Sequence, residues 1–174
     1  MPTTPTTITW HDARFELLTE RAVWWPERRT LIVADPHLGK AESFIAAGIP
    51  VPGRTTGHTL DRLAGLVTRL APYRLAILGD LLHARAGATP ALWDNLRDWR
   101  RRCPDLDIVN VRGNHDRHAG DPPASLGIRC VPELALAPFR LLHWPPISPH
   151  NNPYSTNTTT PTTPTFAGHA HPAI

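Results

Sequence analysis

The chain is poor in sulfur, in lysine and in long apolar runs. It has two cysteines, Cys103 and Cys130, and one methionine in 174 residues. Two cysteines with no metal-binding spacing argue against a disulfide scaffold or a cysteine metal site, and for free thiols in a reducing, cytoplasmic setting. No stretch approaches the roughly 18 apolar residues of a membrane span, so no membrane association is expected. Residues 1–7 (MPTTPTT) lack both a basic start and an apolar stretch, so no secretory signal is expected and the segment reads as a disordered tail. Only 11 glycines stand against 20 prolines, a load that caps helix content and marks loops.

What is present is enough for a folded core. Hydrophobic residues make up 41% of the chain, which rules out wholesale disorder, and the length suits one domain, read here as 8–174. The net charge is only +3, yet every basic residue except Lys40 is an arginine, the side chain suited to bidentate phosphate contacts. There are ten histidines, and seven of them fall in or beside a few short polar segments.

The pattern of elements is α/β. Ile8–Trp10, Ala13–Leu18 and Ala22–Trp25 read as short strands. Thr30–Ala34, Arg74–Leu78 and Asp107–Val111 are apolar runs of buried-strand type, and Ile128–Val131 and Phe139–Leu142 are further short strands. Between them, Lys40–Gly48 suits a short helix, and Leu60, Leu63, Leu66, Val67 and Leu70 mark a longer one that Pro72 stops. Thr89-Pro90 is a capped helix start, followed by an apolar face of Leu92, Leu96, Trp99 and Cys103. Strands alternating with helices imply a layered α/β fold. Residues 150–165 form a polar, Thr/Pro-rich insertion that cannot bury enough surface to order itself.

The chemistry gathers at strand ends. The three buried strands end in Asp35-Pro36-His37, Gly79-Asp80 and Gly113-Asn114-His115-Asp116. In open α/β sheets such carboxyl ends converge on the site. Later apolar stretches end in His143 and in Gly168-His169-Ala170-His171. A mixed Asp, Asn and His set suits borderline divalent metals such as manganese, iron or zinc. Asp35, His37, Asp80, Asn114, His143, His169 and His171 are too many for one ion. Two ions sharing a carboxylate, about 3.5–4 Å apart, would suit phosphoryl transfer.

The series DPH, GD, GNHD, H and GHAH resembles the calcineurin-like metallophosphoesterases. The stretches ADPHLGKAESFIAAGIPVP, LGDLLHARAG and VRGNHDRHAGDPP resemble a narrower branch, the bacterial ligase-associated DNA damage response endonucleases (PdeM). The resemblance runs from about Trp10 to His171. It implies a β-sandwich flanked by helices, with a binuclear site between loops. Asp35, His37 and His171 would hold one metal, Asn114, His143 and His169 the other, and Asp80 would bridge them. A hydroxide bridging two manganese ions would attack phosphorus. His115 would act on the leaving group and Asp116 would orient it. His83, where the wider superfamily often has another residue, and Arg117 and His118 are candidates for supporting a ligand or touching substrate.

The resemblance further implies a nucleic acid substrate, single-stranded DNA or RNA, in DNA repair. It implies functional association with an ATP-dependent DNA ligase, a helicase and an exonuclease. Arg85, Arg112, Arg117 and the stretch Arg100–Arg102 are the basic groups at hand, and Trp144 is an aromatic that could stack a base. Family members continue for several tens of residues past the last motif, whereas this chain ends at Ile174. The expectation is a fold without its C-terminal strands, with an open sheet edge that favours a homodimer. Two other functions compete. One is a phosphatase or phosphodiesterase of small nucleotides or lipid-linked diphosphates. The other is a weakly active or non-catalytic scaffold.

Overall fold

The computed structural model describes residues 5–51, 55–145 and 163–169. The first three strands, β1 (Thr6–Trp10), β2 (Ala13–Leu18) and β3 (Ala22–Trp25), form an antiparallel meander. β4 (Thr30–Val33) joins it antiparallel to β3. From there the chain alternates. Helices α1 (Lys40–Ala46) and α2 (Thr55–Leu70) lead to β5 (Arg74–Ile77). Helix α3 (Pro90–Arg101) leads to β6 (Asp107–Val111), and α4 (Asn114–Ala119) to β7 (Ile128–Val131). Strands β4 to β7 are mutually parallel, and the seven-stranded sheet runs in chain order from β1 to β7.

A second sheet has three strands in the order β10, β9, β8. β8 (Leu134–Leu136) and β9 (Phe139–Leu142) form a hairpin, and β10 (Thr165–Ala167) lies parallel to β9.

Strand periodicity explains the layers. Successive side chains point to opposite faces. Leu31, Val33, Leu75, Ile77 and Ile108 therefore pack with Leu60, Leu63 and Leu66 of α2 and Leu92, Leu96 and Trp99 of α3. Ile32, Ala76, Val109 and Val111 face the other way, onto Leu134, Phe139, Leu141 and Phe166 of the small sheet. With both faces covered, β4 is buried at every residue, which is why the central strands read as continuous apolar runs rather than alternating ones. The α3 start is as its sequence requires: the Leu92 N–H donates to Thr89 Oγ1 at 3.2 Å.

The element boundaries differ from expectation at two ends. Thr6 and Thr7, assigned to the tail, extend β1 and pair with Leu17 and Glu16. Thr165, assigned to the insertion, opens β10 opposite Arg140. β8 has no counterpart in the sequence reading, because three residues are too few to show a period. The rest of the 150–165 insertion, up to residue 162, lies outside the described residues, as do the first four residues and those beyond His169. No helix among the described residues is long and apolar enough to cross a membrane. Cys103 and Cys130 are both free thiols.

Candidate metal centre

The parallel strands β4, β5 and β6 end side by side, and their loops stay in register after the ladder stops. The Asp35 N–H donates to the Gly79 carbonyl at 3.2 Å, the His37 N–H to the Asp80 carbonyl at 2.9 Å, and the Leu38 N–H to the Leu81 carbonyl at 2.8 Å. Asp35, His37 and Asp80 take left-handed backbone conformations, with φ of 49°, 46° and 51°. Such angles are uncommon for residues with a Cβ and cost of order 1–3 kcal/mol each, so they persist only where surroundings enforce them. Two glycines make room. A Cβ on Gly79, itself at φ +86°, would overlap the His143 ring, and one on Gly113 would overlap the Asp80 carboxylate.

The small sheet supplies the other wall. His143 follows β9. Parallel β10 then carries His169 alongside, where its N–H donates to the His143 carbonyl at 2.8 Å. The ring centroids of His143 and His169 are 4.9 Å apart. The centre thus sits where the carboxyl ends of both sheets meet.

Its donor set has more electron pairs than hydrogens. Asp80 is 1% exposed and its Oδ2 accepts no hydrogen bond. That oxygen lies 4.0 Å from His37 Nε2 and 3.7 Å from His143 Nε2. The His143 Nδ1–H is committed to the Leu78 carbonyl at 2.8 Å, since a carbonyl can only accept. In the neutral ring its Nε2 then presents a lone pair, 3.0 Å from Asn114 Oδ1. His143 Nδ1 is also 3.6 Å from Asp35 Oδ1. Asp80 Oδ2 accepts no hydrogen bond and faces imidazole nitrogens in a buried setting, an arrangement that a cation among them would stabilise. Residues Asp35, His37 and Asp80 can bring ligand atoms within 4.8 Å of one another; so can Asp80, His143 and His169, and Asp80 belongs to both groups. A third such group is His37, His83 and His115. The described residues therefore fit divalent-cation binding.

Protonation agrees with this fit. Burial pushes the His37 imidazole down to about 4, against the pull of Asp80 and with the help of His115, His83 and Lys40. His83 is lowered too, by burial first and then by His115 and Lys40. Neutral rings can bind a cation without first losing a proton.

The expected site residues do not all gather at one place. Asp35, His37, Asp80, Asn114, His143 and His169 are brought together. His171 lies outside the described residues. Arg117 and His118 do not join the cluster. Both are exposed on α4, where the His118 Nδ1–H donates to the Asn114 carbonyl at 2.8 Å.

Asp116 requires a correction. It does not touch the His115 ring: its carboxylate accepts from the Gly113 N–H at 3.0 Å, the Leu82 N–H at 3.1 Å and Asn110 Nδ2 at 3.0 Å. The His115 Nδ1–H donates instead to the His83 carbonyl at 2.7 Å, and the two rings stack with centroids 4.9 Å apart. Asp116 fixes the loops, and the His83 backbone orients His115. Asn110, a buried amide inside a strand, is a supporting residue that the sequence reading missed. A polar residue between two valines of a strand was its one signal.

Three of the six candidate arginines are committed elsewhere. Arg112 makes a two-pronged pair with Asp121 at 2.8 and 2.6 Å. In the stretch Arg100–Arg102, Arg100 bonds the Leu126 carbonyl and Arg101 pairs with Asp98. Trp144 is 49% exposed and lies against the His169 ring, 3.7 Å between centroids.

No protein-family profile and no curated protein matches the chain. Among solved structures it is similar to the crystal structure of Pseudomonas putida nuclease MPE. The TM-score is 0.80 and the identity 41%, over 97% of this chain and 74% of that one. At that identity and coverage, the chain belongs to the family of the Pseudomonas putida nuclease MPE.

Proposed function

We propose that the chain is a metal-dependent phosphodiesterase of the calcineurin-like type that cleaves nucleic acid, with single-stranded DNA as substrate. The observation that carries this reading is the Asp80 carboxylate, buried and shared between two groups of ligands. Similarity to a nuclease supports the substrate class.

Asp35 and His37 would hold one manganese ion, and Asn114, His143 and His169 a second, with Asp80 common to both. His171 would complete the first set. Bound there, divalent cations would acidify water and neutralise charge on a phosphoryl group. The chain's own groups do the rest. The Leu78 carbonyl fixes the His143 tautomer, as partners behind a metal ligand do. The His83 carbonyl holds the Nδ1–H of His115, so that a ring protonated on both nitrogens would have its Nε2–H free to pass to the departing oxygen. Asp116 keeps Gly113 and Leu82 together, and so keeps the His115 turn beside Asp80, whose Oδ1 accepts from the His115 N–H at 2.9 Å.

The test is cleavage of single-stranded DNA by the full chain with manganese, run beside duplex DNA, RNA and a nitrophenyl phosphomonoester. Internal cuts in the single strand, lost with a chelator and restored by manganese, are expected. Turnover of the monoester alone would overturn the reading in favour of a small-substrate phosphatase.

A further inference from the structure

Next to Asp35 and His37, a pocket of about 400 Å³ lies between α1 and α2. It is open to solvent on one side, and its size falls in the range of small-molecule sites. Asp35 and His37 are among its lining residues, so the pocket adjoins the candidate metal centre. The other walls are largely apolar: Pro36, Ala41, Phe44 and Val51. Thr55 and Thr59 add hydroxyls along one side. Phe44 is half-buried, with its ring 5.5 Å from that of His83. Lys40, which also lines the cavity, sets its Nζ 5.9 Å from the Phe44 ring centroid.

The walls are held in place independently of any ligand. Thr56 Oγ1 accepts from the Gly39 N–H at 3.1 Å and donates to Glu42 Oε2 at 3.4 Å, which ties α2 to α1. Gly39 and Gly87 touch backbone to backbone, so that a Cβ on either would overlap the other.

We propose that this cavity is a base subsite, taking one unstacked nucleobase of the strand whose phosphate lies at Asp35, His37 and Asp80. The inference rests on the phosphodiesterase reading above. An occupant must be joined to the phosphate yet apolar on its faces and polar at its edges. A nucleobase meets both demands: its faces suit Phe44, and its edges suit the hydroxyls of Thr55 and Thr59. Lys40 stands where it can meet an adjacent phosphate. A base stacked and paired in a duplex cannot enter such a pocket without being extruded, at a cost of a few kcal/mol. The cavity therefore favours single strands, and Phe44 and Thr59 become determinants of where the strand is cut.

The test measures binding, so that it is separate from turnover. Deoxyadenosine monophosphate and deoxyribose 5-phosphate are titrated by calorimetry into the manganese-loaded full chain. Base stacking on an aromatic side chain corresponds to about ten- to a hundredfold in affinity. The nucleotide should bind tighter by that factor. Phe44→Ala, which removes the stacking face, and Thr59→Trp, which fills the cavity from the helix surface, should each erase the difference while leaving the sugar phosphate unaffected. Phe44→Trp should keep it. Equal binding of the two probes by the wild type, or a preference that survives both Phe44→Ala and Thr59→Trp, overturns the proposal. Cleavage of an oligonucleotide is scored separately. A base preference without cleavage would sink the phosphodiesterase reading and leave the subsite standing, and cleavage without a base preference would do the reverse.

Discussion

At the scale of single residues, Asp80 and His115 come from different loops and are joined by one hydrogen bond. Asp80 is buried with a free lone pair on Oδ2, whereas its Oδ1 is spent on the His115 N–H. Asp80→Asn removes the shared charge and keeps the shape. It should lower bound metal by more than the about 10–100-fold that loss of an outer partner costs, and abolish cleavage. Metal content by mass spectrometry checks it. His115→Ala should retain metal and lose rate by about 10²–10⁴-fold on a poor leaving group, with a smaller loss on nitrophenolate. Equal losses on both substrates would count against a proton-donor role. The positions of these residues were legible from sequence because strand ends carry them. Their partners were not. Asp116 is adjacent to His115 in sequence, but a helical turn points the two side chains apart, and Asp116 finds Gly113, Leu82 and Asn110 instead.

At the scale of elements, the loops after β4, β5 and β6 are joined by backbone hydrogen bonds and by the Asp116 carboxylate, which has three donors from three loops or strands. Asp116→Ala leaves those donors buried and unpaired. At about 1–3 kcal/mol for each unsatisfied group, it should destabilise the fold by about 3 kcal/mol or more. A fall in the urea midpoint at constant slope reads this out. By contrast, Thr89→Ala removes one helix cap on α3, which is no member of the cluster, and should cost about 1 kcal/mol with no effect on metal binding. The helix pattern and its cap were legible in sequence because they are local. The arginine stretch at the end of α3 reads as a basic patch in one dimension. On the folded helix, three-residue spacing brings Arg101 to Asp98 and sends Arg100 to the Leu126 carbonyl.

At the scale of the whole molecule, Asp107 ties three strands together. Arg74 Nε of β5 donates to it at 2.6 Å, and Arg129 Nη2 of β7 to both of its oxygens at 3.3 Å. Burial works against its ionised form, but the Arg74 and Arg129 bonds outweigh burial and hold its carboxyl below the usual value. A carboxyl depressed in the folded state stabilises at pH values above its unfolded pKa, about 3.9, and that stabilisation is lost as pH falls through the lower folded value. The wild type should therefore lose stability more steeply than Asp107→Asn as pH falls below about 4. Thermal melts across that window check it, and parallel slopes would refute the role.

What the sequence determined by itself was most of the strands, the helices α1 to α3, their apolar faces, and the roster of acids, amides and imidazoles at strand ends. These follow from local period and from the rule that parallel strands carry chemistry at their carboxyl ends. Tertiary structure alone decided which lone pairs face one another without a hydrogen, which backbone carbonyl orients each histidine, which arginines are already paired, and that a cavity opens beside His37. Each depends on groups distant in the chain, such as Leu78 with His143 and Gly79 with Asp35, whose meeting is set by sheet packing. Side-chain type along one strand carries no record of that packing.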